Sequence, residues 1–101
     1  GLPSDSFIFE GFLPRKKGRK SKLYEISQNT KTTILYESPF RIIKTLSDMK
    51  ETIGSDRKIA IVREISKIYE EVFRGTIEEA ILEYNERTMK GEFVICIDRV
   101  S

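Results

Sequence analysis

Ile59-Ala60-Ile61-Val62 is apolar at four consecutive positions, and Tyr69-Glu70-Glu71-Val72-Phe73-Arg74 follows with no helix-length segment between them. The first run reads as a central strand buried on both faces, and the second as a more polar strand closed by Gly75. A strand that steps directly into the next allows an antiparallel pair, whereas strands joined through helices tend to run parallel. Upstream, Thr32-Thr33-Ile34-Leu35-Tyr36 is a strand, and Ser38-Pro39 then offers a hydroxyl cap and a first-turn proline for a helix. That helix carries Ile43, Leu46, Met49 or Lys50, and Ile53 on one face and stops at Gly54. Earlier still, Phe7-Ile8-Phe9-Glu10-Gly11 is a β run ended by Gly11 and Pro14. A short helix from about Arg19–Ser21 to Asn29 follows it, with Leu23 and Ile26 as its apolar side and Tyr24 as a further candidate. Downstream, Thr76-Ile77-Glu78-Glu79 is a capping box, after which Ile77, Ala80, Ile81 and Tyr84 repeat at helical spacing. Gly91 begins a last strand through Phe93 to Ile97. The order is β-α-β-α-β-β-α-β, an α/β mixed five-stranded sheet flanked by helices.

A chain of 101 residues, 39% hydrophobic and 34% charged, is one domain with a single core. No apolar run approaches the roughly 20 residues that span a bilayer, and no signal peptide is recognisable. The lone cysteine, Cys96, cannot form an internal disulfide and is expected as a buried structural thiol within Phe93-Val94-Ile95-Cys96-Ile97. The absence of histidine excludes imidazole general-base chemistry, Ser-His triads and His-ligated metals, and no metal site is expected. Gly1 through Ser6 reads as a linker leading into a domain at 7–101, cut from a longer protein.

Charge is placed rather than spread. Phe12-Leu13-Pro14 runs into Arg15-Lys16-Lys17-Gly18-Arg19-Lys20-Ser21-Lys22, six cations with no acid between Glu10 and Glu25. The chain has 18 Lys and Arg against 16 Asp and Glu, so without this run the remainder is acidic. A polyanion would be drawn to one site and repelled elsewhere, as when nucleic-acid phosphates are contacted locally. A solvated, solubilising loop is the competing reading. Cations at the start of a helix oppose its dipole, which suggests they are kept for something other than helix stability.

Leu2-Pro3-Ser4-Asp5, Phe9-Glu10-Gly11-Phe12-Leu13-Pro14-Arg15-Lys16-Lys17-Gly18, Tyr36-Glu37-Ser38-Pro39-Phe40-Arg41, Arg63-Glu64-Ile65-Ser66-Lys67 and Lys90-Gly91-Glu92-Phe93 together resemble the second half of the bacterial ribosomal RNA small subunit methyltransferase I family, of the tetrapyrrole-methylase fold class. The resemblance covers nearly the whole chain. It implies the C-terminal domain of a cytoplasmic, two-domain enzyme, a homodimer at full length, that transfers a methyl group from S-adenosylmethionine to the ribose 2′-hydroxyl of a cytidine in 16S rRNA. It implies strand order one, two, five, three, four with the last two strands antiparallel to the others. The cofactor then lies between this domain and an N-terminal domain absent from the chain, and the isolated chain is expected to fold without transferring methyl groups.

The same resemblance places a cofactor wall at Phe12, Leu13 and Pro14, a second at Val62, Arg63 and Glu64, and a third at Gly91 and Glu92. Phe12 and Leu13 could instead cap the core. Arg15, Lys16, Lys17, Arg19, Lys20 and Lys22 are the RNA-binding candidates, joined by Arg41 and Lys67. Glu37, Arg41 and Arg63 are the charged candidates for catalysis, although Glu37 reads first as a brace paired with Arg41 or Arg63 and only second as a group orienting the ribose hydroxyl, and no residue identifies itself as the base. Two other classes compete: a methylase of tetrapyrroles or other small molecules, whose entrance needs no cation cluster, and a non-enzymatic RNA-binding module. Against the module, Tyr24, Tyr36 and Phe40 are scattered, and are expected in the core rather than on a stacking platform.

Overall fold

The computed structural model describes residues 6–85 and 90–100. Eight elements follow in the expected order: β1 (Phe7–Phe12), α1 (Arg19–Gln28), β2 (Thr32–Glu37), α2 (Ile42–Ile53), β3 (Lys58–Ser66), β4 (Tyr69–Thr76), α3 (Ile77–Tyr84) and β5 (Glu92–Ile97). The sheet order is β1-β2-β5-β3-β4, with β1 and β2 parallel and β5 antiparallel to both β2 and β3. β4 pairs antiparallel with β3, so β4 and β5 run against the other three strands. No helix among the described residues is long and apolar enough to cross a membrane.

Side-chain alternation on the pleat decides where the core sits. Thr33, Leu35 and Glu37 of β2, Ile59, Ile61 and Arg63 of β3, and Phe93, Ile95 and Ile97 of β5 all point to one buried face. Leu23 and Ile26 of α1, Ile42, Leu46 and Met49 of α2, and Ile77, Ala80 and Tyr84 of α3 complete a single core with them. The opposite face, carrying Phe9, Phe12, Ile34, Tyr36, Val62, Val72 and Val94, is half-buried to exposed. The helices therefore cover one face only. This corrects the expectation of a β3 buried on both sides: Ile59 and Ile61 are buried, whereas Ala60 and Val62 alternate onto the uncovered face.

Three further expectations shift. α2 begins at Ile42 with Arg41 as its cap, because Ser38 and Pro39 form a turn closed by the Arg41 N–H donating to the Ser38 carbonyl at 3.1 Å. Its buried face is Ile42, Thr45, Leu46 and Met49, with Ile43 and Ile53 only packed at the edge. Tyr24, Tyr36 and Phe40 are exposed rather than core, Phe40 at 95%. Cys96 is half-buried on the uncovered face, since its register with Ile34 and Ala60 turns it away from the helices. The capping box of α3 forms as expected, Thr76 accepting from the Glu79 N–H and Glu79 accepting from the Thr76 N–H.

Candidate functional site

Because β1, β2 and β3 run one way and β4 and β5 the other, one edge of the sheet collects three strand ends and two strand beginnings. Phe12, Glu37 and Ser66 end their strands there, and Tyr69 and Glu92 begin theirs. Open α/β sheets place ligands outside the carboxyl ends of their strands. A cleft of about 520 Å³ lies at this edge, lined by residues that include Phe12, Tyr36, Glu37, Val62, Glu64 and Glu92. Its volume falls in the range of small-molecule sites, roughly 300 to 1,000 Å³.

The apolar wall is an aromatic ladder on the uncovered face. Tyr36 stacks edge-on against Phe9 at 5.2 Å and against Phe12 at 5.6 Å between ring centroids. Phe12 nevertheless remains 68% exposed, whereas its neighbour Leu13 is turned into the core at 8%. The two residues expected to act together thus diverge: the strand bulge between Phe9 and Gly11 sets Phe12 opposite Tyr36, and the chain then turns Leu13 into the helix-covered core. Pro14 offers its carbonyl to Arg19.

The polar wall is acidic. Glu64 lies opposite Glu92 on one side and Glu70 on the other, three like charges at one register level across β4, β3 and β5. Like charges directly opposite weaken a sheet. Gly91 turns the chain into β5 at φ 89°, close against the Glu64 backbone. Val62, Glu64 and Glu92 therefore share the cleft with Phe12, but Arg63 does not: it points to the helix face, where Nη2 meets Glu71 at 2.9 Å and Nη1 donates to the Lys90 carbonyl. Among the described residues its buried Nε has no hydrogen-bond partner, and neither has Nη2 of Arg41.

Glu37 is 6% exposed and lies between the cleft and the core. Its Oε1 accepts from the Ser38 N–H at 2.8 Å and its Oε2 from the Thr45 hydroxyl. Thr45 is its side-chain partner, in place of the Arg41 or Arg63 brace that the sequence suggests. Sequence reasoning alone passes over Thr45, although a polar residue among Ile42, Leu46 and Met49 on the core face of a helix is a readable signal.

The basic run divides. Arg15, Lys16, Lys17 and Lys20 are exposed, beside an α1 start with no side-chain cap and no acid in its first turn. Lys22 donates to Glu25 at 2.7 Å and pairs with Glu10 at 3.2 Å. Those two carboxylates, Glu25 first, hold its pKa above the ordinary lysine value. Arg19 is 7% exposed and faces inward. Lys67 stands exposed at the β3–β4 turn, on the same sheet edge. The segment Leu2 to Asp5 of the resemblance lies outside the described residues.

Comparison with known proteins adds family and fold. The family model described as Tetrapyrrole (Corrin/Porphyrin) Methylases matches residues 3–81. The chain is similar to proteins named ribosomal RNA small subunit methyltransferase I: 42% identical over 98 residues to that of Synechocystis sp., covering 96% of this chain and 35% of the relative. Identity is 46% to that of Halalkalibacterium halodurans, covering 97% and 34%, and 40% to that of Thermotoga maritima, covering 96% and 43%. The chain thus spans well under half the length of these relatives, matching their C-terminal part. Among solved structures, a cobalamin biosynthetic enzyme, cobalt precorrin-4 methyltransferase, superposes with a TM-score of 0.57 over 89% of this chain and 39% of its own, at 15% identity.

Proposed function

The chain belongs to the tetrapyrrole (corrin/porphyrin) methylases, and from that premise we propose that it forms one wall of an S-adenosylmethionine site and a phosphate grip in an enzyme that methylates the ribose 2′-hydroxyl of a cytidine in 16S rRNA. The observation that carries the reading is adjacency. The aromatic and acidic cleft opens where β1 ends, and the exposed cations Arg15, Lys16 and Lys17 begin three residues after Phe12. A small-molecule methylase has no use for such a run, whereas rRNA backbone does.

The residues present suit the cofactor. Phe12 and Tyr36 offer ring faces and edges for an adenine, and Glu64 and Glu92 offer acceptors for ribose hydroxyls and amines. Their mutual repulsion across the sheet is relieved by a ligand of net positive charge, which the sulfonium and ammonium groups of S-adenosylmethionine supply. That cofactor provides an electrophilic methyl group. The chain's own work is positional: the cleft fixes one partner, the cations hold the RNA strand, and the hydroxyl is presented in line.

In this reading an N-terminal domain closes the cleft, the full-length protein is a cytoplasmic homodimer, and the uncovered sheet face is a surface covered in that assembly. The decisive experiment is methyl transfer to 30S subunits by the full-length protein, with the 101-residue chain alone as a control expected to be inactive. Transfer to a tetrapyrrole in place of RNA, or activity of the isolated chain, overturns it.

A further inference from the structure

Arg19 belongs by sequence to the run of RNA-binding cations, yet the fold spends it elsewhere. Its guanidinium uses three nitrogens in three directions: Nε donates to Asp48 Oδ2 at 2.9 Å, Nη1 to the Pro14 carbonyl at 3.1 Å, and Nη2 to Thr45 Oγ1 at 3.0 Å. Thr45 is fully buried, and its hydroxyl has one hydrogen, which goes to Glu37 Oε2. Glu37 in turn holds the Ser38 N–H on its other oxygen. The chain of donors therefore runs one way, from guanidinium to hydroxyl to carboxylate, and all three side chains are more than nine-tenths buried.

The two ends of this relay are functionally different places. Pro14 and Arg19 bracket Arg15, Lys16 and Lys17, so the bond from Arg19 to the Pro14 carbonyl closes the loop that carries the exposed cations. Glu37 and Ser38 line the cleft. The last β1–β2 pair sets Phe12 opposite Tyr36, so the loop after β1 and the rim at Glu37 and Ser38 continue from adjacent strand ends, and beyond that pair no β1–β2 register holds them. Side chains from α1 and α2 make the connection. Fully satisfied buried polar networks rigidify the groups they join.

We propose that Arg19 is a positioning residue that, through Thr45 and Glu37, locks the cationic loop and the cleft rim into one rigid unit, setting where a bound RNA strand lies relative to the cofactor wall. The proposal deepens the function proposed above and rests on it for its catalytic consequence, but not for the coupling itself. A planar guanidinium can serve three acceptors in fixed directions, which a lysine ammonium on a flexible stem cannot. Charge and position are thereby separable. If Arg19 served only as a charge for phosphate, Arg19→Lys would leave the exchange of the loop and rim unchanged; as the hub of the relay, it does not.

The test uses the full-length protein with Arg19→Lys, Thr45→Val, Thr45→Ser and, as a surface control, Lys17→Ala. Amide hydrogen exchange is read over residues 15–22 and at Ser38, with β3, β4 and α3 as internal references. Thr45→Val, nearly isosteric and free of both hydroxyl bonds, is expected to raise exchange in both segments together and leave the references unchanged; Arg19→Lys does the same, Thr45→Ser restores protection and Lys17→Ala leaves it intact. In methyl transfer to 30S subunits, Arg19→Lys is expected to lower kcat at saturating RNA about tenfold or more, as misplacement of reacting groups does, with the salt slope of RNA binding unchanged. Exchange that rises in one segment alone, or an Arg19→Lys protein indistinguishable from wild type in exchange and kcat, overturns the proposal. A wild-type protein that transfers no methyl group refutes the proposed function instead, and the exchange arm still decides the coupling.

Discussion

Gly91 lies so close to Glu64 that a Cβ at position 91 would come within 2.1 Å of the Glu64 carbonyl oxygen. The obstacle is backbone, not a side chain that can swing aside, and φ at Gly91 is 89°, a region that side-chain-bearing residues rarely adopt. β5 enters the sheet beside β3 only because both conditions are met by glycine. Gly91→Ala is therefore expected to destabilise the fold by about 3 kcal/mol, combining left-handed strain with overpacking. Equilibrium unfolding in urea measures it. A variant as stable as wild type would mean that β5 begins differently.

The divergence of Phe12 and Leu13 separates stability from binding. Leu13 is a core residue, so Leu13→Ala is expected to cost about 2 to 4 kcal/mol of folding stability. Phe12 is mostly exposed and stands over the cleft, so Phe12→Ala should leave stability within about 1 kcal/mol of wild type. In the full-length protein that same change should weaken S-adenosylmethionine binding by calorimetry. Unchanged cofactor affinity in Phe12→Ala would remove the aromatic ladder from the site.

The cations give a graded series. Neutralising Arg15, Lys16 and Lys17 in the full-length protein is expected to make the slope of log K against log salt for RNA binding shallower, by roughly 0.7 to 0.9 for each phosphate that is no longer neutralised. Lys22→Ala should leave the slope alone, because its ammonium is already committed to Glu25 and Glu10. A fluorescence titration from low to moderate salt reads both. Equal slopes in the triple variant and wild type would return the run to a solubility role.

Element order, the α3 capping box and the strand ends are legible because each is written in local signals: apolar runs, Gly and Pro punctuation, and a Thr-Glu pair at helical spacing. The resemblance supplies the sheet order. What is not legible depends on which elements share a face. Four consecutive apolar residues at Ile59 to Val62 suggest two buried faces, but nothing local says that the helices all sit on one side. Arg19 looks like its neighbours in a run of cations, and only the packing of α1 on α2 brings Asp48 and Thr45 to it. The Ser38-Pro39 pair suggests a helix start. Glu37, by taking the Ser38 N–H itself, instead belongs to a turn that delays the helix to Ile42.

Cys96 provides a pH-dependent check on the uncovered face. Its thiol pKa is raised because partial burial disfavours the thiolate, with the Arg74 charge pulling the other way. For an acid whose folded pKa lies above its unfolded value, the folded state holds the proton longer. Stability from this group is thus complete below the unfolded thiol pKa of about 8.5 and falls as pH rises from there toward the folded value. In the 101-residue chain, alkylation of Cys96 by iodoacetamide is expected to be slow at about pH 8 and still climbing at a pH where an unstructured peptide thiol has reached its plateau. Cys96→Ser should remove that component of the stability decline above about pH 8.5. Arg74→Ala should move the alkylation profile to higher pH, since the one favourable charge is gone. A thiol that alkylates like a free peptide would place Cys96 in open solvent and contradict the half-buried position that its register with Ile34 and Ala60 gives it.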